Sequence, residues 1–126
     1  MHYGREEAPT ATWTTVKKLG KKLPEVVEST WFGTPSLKAR KKSFVRLREP
    51  DVLVVLVDLD EKEALIGAEP NVFFSTPHYD GYPAMLVRLS AIEDDELWEV
   101  LVESWRRVAP KRLQKKFDDG KGGRAT

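Results

Sequence analysis

Two runs of cations carry the clearest chemistry in this chain. Lys38, Arg40, Lys41, Lys42, Arg46 and Arg48 crowd one short stretch, and Arg106, Arg107, Lys111, Arg112, Lys115 and Lys116 form a second near the C-terminal end. Positive charge at this density binds phosphate by displacing its condensed counterions. A β-ribbon carrying such charge can also enter a nucleic-acid groove. The candidate phosphate contacts are Lys38, Arg40, Lys41, Lys42, Arg46, Arg106, Arg107, Lys111 and Arg112. Alternation along a strand puts Lys38 and Arg40 on one face. The formal net charge of only +1 and the pI of 7.9 argue against a strongly basic nucleic-acid binder. The distribution is more informative, because residues 1–48 sum to +7, residues 49–99 to −11 and residues 100–126 to +5. Such asymmetry points to an anionic partner or to mutual neutralisation of ends and middle across the fold.

A second candidate is the segment Thr76-Pro77-His78-Tyr79-Asp80-Gly81-Tyr82-Pro83. Two prolines stiffen it, Gly81 can supply a positive φ, and three rings project from it. Rigid loops on a scaffold often carry binding residues. With Trp31 beside it, a small aromatic-rimmed ligand pocket would comprise Trp31, His78, Tyr79, Asp80 and Tyr82; the structural alternative is a loop that plugs the end of a sheet. His78 beside Asp80 or Glu28 has the makings of an acid–base pair, but no third group orients it, and a loop-capping histidine is the simpler reading. His2 and His78 are the only histidines, too few for a metal site. The Asp94-Asp95-Glu96 run lacks the alternation and glycine of a calcium loop. There is no nucleophile elbow and no phosphate-cradling loop; Gly120-Lys121-Gly122-Gly123 follows no strand. The expectation is a chain without catalytic residues, cofactor or metal.

The remaining composition narrows the class. The 126 residues suit one domain, long enough to bury a core without staples. No cysteine is present, which excludes disulfides, thiolate metal sites and thiol nucleophiles. The first residues contain no apolar signal-like core, and the longest apolar run, Val52 to Val57, is too short to span a bilayer. A cytoplasmic, monomeric protein is the expectation.

Periodicity then supplies the elements that must position these groups. Trp13, Val16, Leu19 and Leu23 recur at helical spacing, so a helix is expected from Thr12 to about Lys22, capped by Thr10 or Thr12 and stopped before Pro24. From Val26 the period becomes two, giving a strand to Trp31, a turn at Gly33-Thr34-Pro35, and a strand through Leu37 and Ala39. Lys41-Lys42 marks a hairpin tip before Phe44, Val45 and Leu47. The continuous run Val52–Val57 reads as a central strand covered on both sides or nearly so. Asp60 is the expected cap of a short helix over 61–68, followed by a short strand at Val72-Phe73-Phe74 and a last strand over 84–89. A final helix opens in Glu93-Asp94-Asp95-Glu96, whose charge suits a helix N-terminus. Its stripe is Leu97, Val100, Leu101, Ser104, Trp105 and Val108, and Pro110 marks its end. Lys, Asp and Gly dominate from Gln114 onward. The domain expectation is a flexible N-terminus over 1–9, one domain over 10–113 and a disordered basic tail over 114–126. The fold class is α+β, an antiparallel sheet of about five to six strands with the N-terminal and C-terminal helices on one face. Burial of Trp13, Trp98 or Trp105 beneath those helices would stabilise by roughly 2–3 kcal/mol each.

An ordered series of segments carries a resemblance. It comprises Lys22-Leu23-Pro24-Glu25-Val26-Val27-Glu28-Ser29, Gly33-Thr34-Pro35-Ser36-Leu37-Lys38-Ala39, the basic hairpin through Lys42-Ser43-Phe44, Ala64-Leu65, and Asn71-Val72-Phe73-Phe74. It continues with the His78 segment running into Leu86-Val87-Arg88-Leu89, and ends with Ser104-Trp105-Arg106-Arg107-Val108-Ala109-Pro110-Lys111. Read together, these segments resemble the MmcQ/YjbR family over about residues 12–112. The family commonly has a glycine before the hairpin lysine, where this chain has Arg40-Lys41-Lys42. The resemblance implies a compact α+β fold akin to secretion chaperones, also described as CyaY-like, a proposed DNA-binding role and no known catalytic residues. The functional expectation is weak, salt-sensitive, sequence-independent DNA binding by both basic clusters acting as one surface. The alternatives are a protein-interaction module, or a small-ligand binder using the His78 loop.

Overall fold

The computed structural model describes residues 11–124. The flexible stretch expected over 1–9, and His2 within it, lie outside the described residues. Helix α1 (Trp13–Gly20) leads into four strands, β1 (Val26–Trp31), β2 (Thr34–Ala39), β3 (Lys42–Glu49) and β4 (Val52–Leu56). Helix α2 (Leu59–Ala68), strand β5 (Phe73–Phe74), strand β6 (Ala84–Arg88), helix α3 (Asp94–Arg106) and helix α4 (Lys111–Arg124) follow. The strands form one six-stranded sheet in the order β1-β2-β3-β4-β6-β5, with every neighbouring pair antiparallel. The expected α+β architecture, with N- and C-terminal helices beside an antiparallel sheet, is the one observed. No helix among the described residues is long and apolar enough to cross a membrane.

One face of the sheet carries the main core. Val16 and Leu23 from the first helical segment, and Leu97, Leu101 and Trp105 from α3, are buried against Leu37, Phe44, Val45, Leu53, Val55, Met85 and Val87. Trp105 is fully buried, and its Nε1 donates to the Pro24 carbonyl. Trp13 and Trp98 are only partly buried at the edge of the same core. Gly20 lets α1 approach β2, since a Cβ there would lie 2.4 Å from Leu37 Cδ1. Ser104, on the apolar stripe of α3, accepts the Leu56 N–H at 2.8 Å and donates to the Phe44 carbonyl, bridging β4 and β3 from above.

Several boundaries differ from the sequence expectation. Helix α1 stops at Gly20 rather than Lys22. Helix α2 starts earlier than expected because Asp58, not Asp60, is the cap: its carboxylate accepts the N–H groups of Asp60 and Glu61 at 3.0 and 3.2 Å. The tail expected to be disordered from Gln114 is instead α4. Its Leu113 is fully buried and Phe117 nearly so, with the Phe117 ring 5.5 Å from Trp105 and 6.2 Å from Trp98. Two apolar residues four apart suffice to dock a helix that composition alone reads as unstructured.

The β2–β3 turn is tight despite having no glycine. Arg40 adopts φ 58°, the left-handed conformation that glycine takes at least cost.

Candidate nucleic-acid interface

Directly paired residues in an antiparallel sheet share a face. The registers Ser29↔Ser36, Ser36↔Arg46, Arg46↔Val54, Val54↔Leu86 and Leu86↔Phe74 therefore draw one row across the whole sheet, on the side away from α1 and α3. The β4–β6 half of this face is covered. Val52, Val54, Ala84 and Leu86 pack under Tyr79 and Phe74, so the β4 run is buried on both sides as its composition implies. The β1–β3 half has no second layer: Val27 is half exposed, and Trp31, Ser29 and Lys38 keep solvent contact.

Arg46 sits where the two halves meet. Its side chain is 9% exposed, yet no carboxylate pairs with it among the described residues. Its guanidinium donates to Thr34 Oγ1 at 3.2 Å and to the Tyr79 hydroxyl at 2.9 Å, and lies 5.4 Å from the centre of the Phe32 ring. The arrangement follows from alternation. Val45 and Leu47 face the core, so Arg46 must face the other way, and there the Tyr79 loop closes over it.

The loop from Thr76 to Pro83 is pinned from below by a second buried cation. Lys62 is 6% exposed, and its Nζ donates to the carbonyls of Tyr79 at 2.6 Å and Tyr82 at 3.0 Å. Thr76 O accepts the N–H groups of Tyr79 and Asp80, and Gly81 takes φ 82°. Tyr79 is buried, whereas His78, Asp80 and Tyr82 are exposed. His78 makes ring contacts with Tyr79 at 4.8 Å and Tyr82 at 6.3 Å. Asp80 accepts from Ser75 Oγ at 2.9 Å. The loop thus plugs the sheet, as its structural reading anticipates. Trp31 reaches it only indirectly: the Trp31 carbonyl accepts from Thr34 Oγ1, which in turn accepts from Arg46. Thr76 Oγ1 is the one fully buried side-chain polar atom without a partner among the described residues.

The hairpin cations divide. Lys38 lies on the open face through its pairing with Ser43 and Val27, while Lys42 pairs with Ala39 and lies toward the helical side. Arg40 and Lys41 form the tip, with Arg40 3.7 Å from Glu25. Arg48 pairs with Glu49 at 2.8 Å. Lys38, Lys41, Lys42 and Arg46 have no ion pair among the described residues.

The second cation cluster lies in the helical layer, across the sheet from Arg46 and Lys38. The expectation of one continuous basic surface is therefore not met. Arg106 is bound by Asp118 at 2.6 Å and by Glu103 at 3.8 Å, and stacks near Phe117. The Asp118 hydrogen bond raises its pKa further above the ordinary arginine value. Lys115 pairs with Asp119 at 3.2 Å. Arg107 is exposed but lines a groove of about 550 Å³ between β4, α2 and α3, whose rim holds Asp58, Glu61, Glu96, Glu99 and Glu103. Repulsion from those carboxylates opposes phosphate at Arg107. Lys111 and Arg112 are exposed at the start of α4. Within the groove, burial and a hydrogen bond that protonated Glu96 donates to the neighbouring Glu69 carboxylate push Glu96 up to about 7, helped by the charges of Glu69, Glu99 and Glu93. Among the described residues no group of three or more acidic or histidine side chains is arranged to hold a metal ion.

Phe32, Thr34 and Lys62 are part of this constellation, and Thr34 and Lys62 have no distinctive sequence signature. A lysine in a short helix between acidic residues reads as solvated, and its burial comes with the returning loop, whose carbonyls it holds. Phe32 alone offered a signal, as an aromatic immediately before the turn glycine.

The chain matches the family model described as YjbR over residues 21–107. It is 39% identical over 123 residues to Uncharacterized protein Mb2600 of Mycobacterium bovis and to Uncharacterized protein Rv2570 of Mycobacterium tuberculosis, covering 85% of this chain and 95% of each relative. Among solved structures, the crystal structure of Deinococcus radiodurans protein DR2400, of the family-model domain DUF419, superposes with a TM-score of 0.70 at 22% identity. That match covers 86% of this chain and 89% of the other, and shows a shared fold. The family match over most of the chain and the long mycobacterial alignment together make this protein a member of the YjbR family.

Proposed function

We propose that this protein is a non-enzymatic nucleic-acid-binding module that engages the phosphate backbone weakly, with strong salt dependence and little sequence preference. The surface is the open half of the sheet, with Lys38 and Arg46, together with the hairpin edge, where Lys41 forms the tip and Lys42 borders the helical side. The observation that carries this reading is the burial of Arg46 without a carboxylate. A buried cation that lacks a counter-charge costs folding free energy, and an anionic ligand supplies the missing charge. The α3–α4 cluster contributes less, because Arg106 and Lys115 are already paired with acidic neighbours and Arg107 lines the acidic groove.

The test is titration of a labelled DNA duplex at 50 and 200 mM salt. With three to four phosphates neutralised, affinity falls by roughly 100-fold between the two. Lys38→Glu combined with Lys41→Glu and Lys42→Glu abolishes binding, whereas Arg107→Glu leaves it within about twofold. Absence of binding at tens of micromolar in low salt removes the proposal, since non-specific binders reach roughly 10⁻⁴–10⁻⁶ M.

The acidic groove favours a second reading, a protein-interaction module that takes a basic partner segment between α2 and α3. That reading requires a protein partner whose capture survives nuclease and is lost in Glu99→Lys/Glu103→Lys.

A further inference from the structure

We infer that the open sheet face selects single-stranded nucleic acid, with a base stacked on Phe32 and a neighbouring phosphate held by Arg46. The inference rests on the nucleic-acid reading above and names the form of the polymer.

It starts from a conflict in the β1–β2 hairpin. The two strands pair as far as Trp31↔Thr34, so Phe32 and Gly33 form a two-residue loop. Both have positive φ, 54° and 75°. A turn of this type favours asparagine, aspartate or glycine at its first position, because a bulky side chain is strained in the left-handed region. Here phenylalanine occupies it, with 78% of its surface exposed. Folding gains little from a ring so placed and pays for it in backbone strain. Local rules are broken in this way mainly where binding requires it.

The ring is nevertheless oriented. It stacks on Trp31 with centroids 5.6 Å apart and planes 23° from parallel, and it holds the Arg46 guanidinium at 5.4 Å. Even with these two neighbours the ring keeps most of its surface open to solvent, beside a cation with no counter-charge. The two guanidinium hydrogen bonds come from its terminal nitrogens, and Nε has no hydrogen-bond partner among the described residues. Next to Tyr79 in the chain, His78 contacts its ring, and His78 and Tyr82 carry further exposed rings on the same loop. Lys38 occupies the same face on the adjacent strand.

An exposed aromatic platform beside cations matches a flexible polyanion whose bases are free to stack. A duplex keeps its bases stacked internally and offers such rings nothing. Duplex binding would use the cations alone, without the rings.

The test compares three labelled probes by fluorescence anisotropy in one buffer: a 12-nucleotide thymidine strand, an abasic strand with the same number of phosphates, and a 12-base-pair duplex. The proteins are the wild type, Phe32→Asn and Arg46→Met. Asparagine suits the turn, so Phe32→Asn keeps or raises Tm. The wild type binds the thymidine strand about tenfold more tightly than the abasic strand, the effect of stacking about one base. Phe32→Asn removes that preference while retaining abasic and duplex binding, and Arg46→Met weakens both single strands alike. Equal wild-type affinity for thymidine and abasic strands overturns the inference, as does a preference that survives Phe32→Asn or a marked loss of Tm in that variant. If duplex and abasic binding persist in those cases, the nucleic-acid reading stands without the single-strand selectivity. Failure to bind any of the three probes overturns both.

Discussion

Replacing Ser104 by alanine removes one hydroxyl and leaves two main-chain groups without partners. The Ser104 side chain is fully buried, and its Oγ joins the Leu56 N–H to the Phe44 carbonyl, one on β4 and one on β3. No water reaches a fully buried hydroxyl to replace it. Each orphaned buried group costs about 1–3 kcal/mol, and the Leu56 amide is only partly buried, so the sum is about 3 kcal/mol. For a domain of this size, 1 kcal/mol moves Tm by about 4 °C, which places the expected loss near 12 °C. Calorimetry gives Tm directly, and urea unfolding gives ΔΔG with an unchanged m-value if the unfolded state is unaffected. Hydrogen exchange adds a local readout: the Leu56 amide loses protection in Ser104→Ala more than its neighbours in β4. A ΔΔG below about 0.5 kcal/mol, or Leu56 protection equal to wild type, would refute the claim that this hydroxyl ties the two strands together.

Glu96 makes stability depend on pH in the opposite sense to an ion-paired carboxylate. Its folded-state pKa of about 7 lies above the ordinary value of 4.5, so between those pH values the folded chain holds a proton the unfolded chain has lost. Stability therefore falls as pH rises from 4.5 to 7, and the loss is complete above 7. The displacement corresponds to at most about 3 kcal/mol, which solvent screening of a partly exposed carboxyl reduces to about 1 kcal/mol. Urea midpoints of Glu96→Gln should match wild type at pH 4.5 and exceed it at pH 8; equal midpoints at both would count against the carboxyl pairing with Glu69. Phe117→Ala uncovers Trp98 and Trp105 and is expected to cost about 2–4 kcal/mol by chemical denaturation. An unchanged midpoint would mean α4 does not dock.

Much of the architecture follows from periodicity over a few residues. Val26–Trp31 and Val52–Leu56 are legible as strands because alternation or an unbroken branched run is a local property of the chain. The α3 stripe is equally legible, and Ser104 falls on it correctly, but nothing local says that this one polar member must bridge two strands. Helix α4 was missed because its burial depends on Trp98 and Trp105, which lie on another helix. The hairpin lysines could be read as exposed cations. Arg46 looks in sequence like one more outward-facing strand residue, between Val45 and Leu47.

Sequence by itself thus determined the order of elements as far as α3, the apolar faces and the family, because each depends on residue type at short spacing. Tertiary structure decided which cations remain available to a ligand. Pairing Arg106 with Asp118, burying Arg46 beneath Tyr79 and holding Lys62 under the same loop all join residues 12 to 33 positions apart. Coulomb energy and desolvation depend on distance and burial in space, and neither is encoded in the local pattern of charges along a chain.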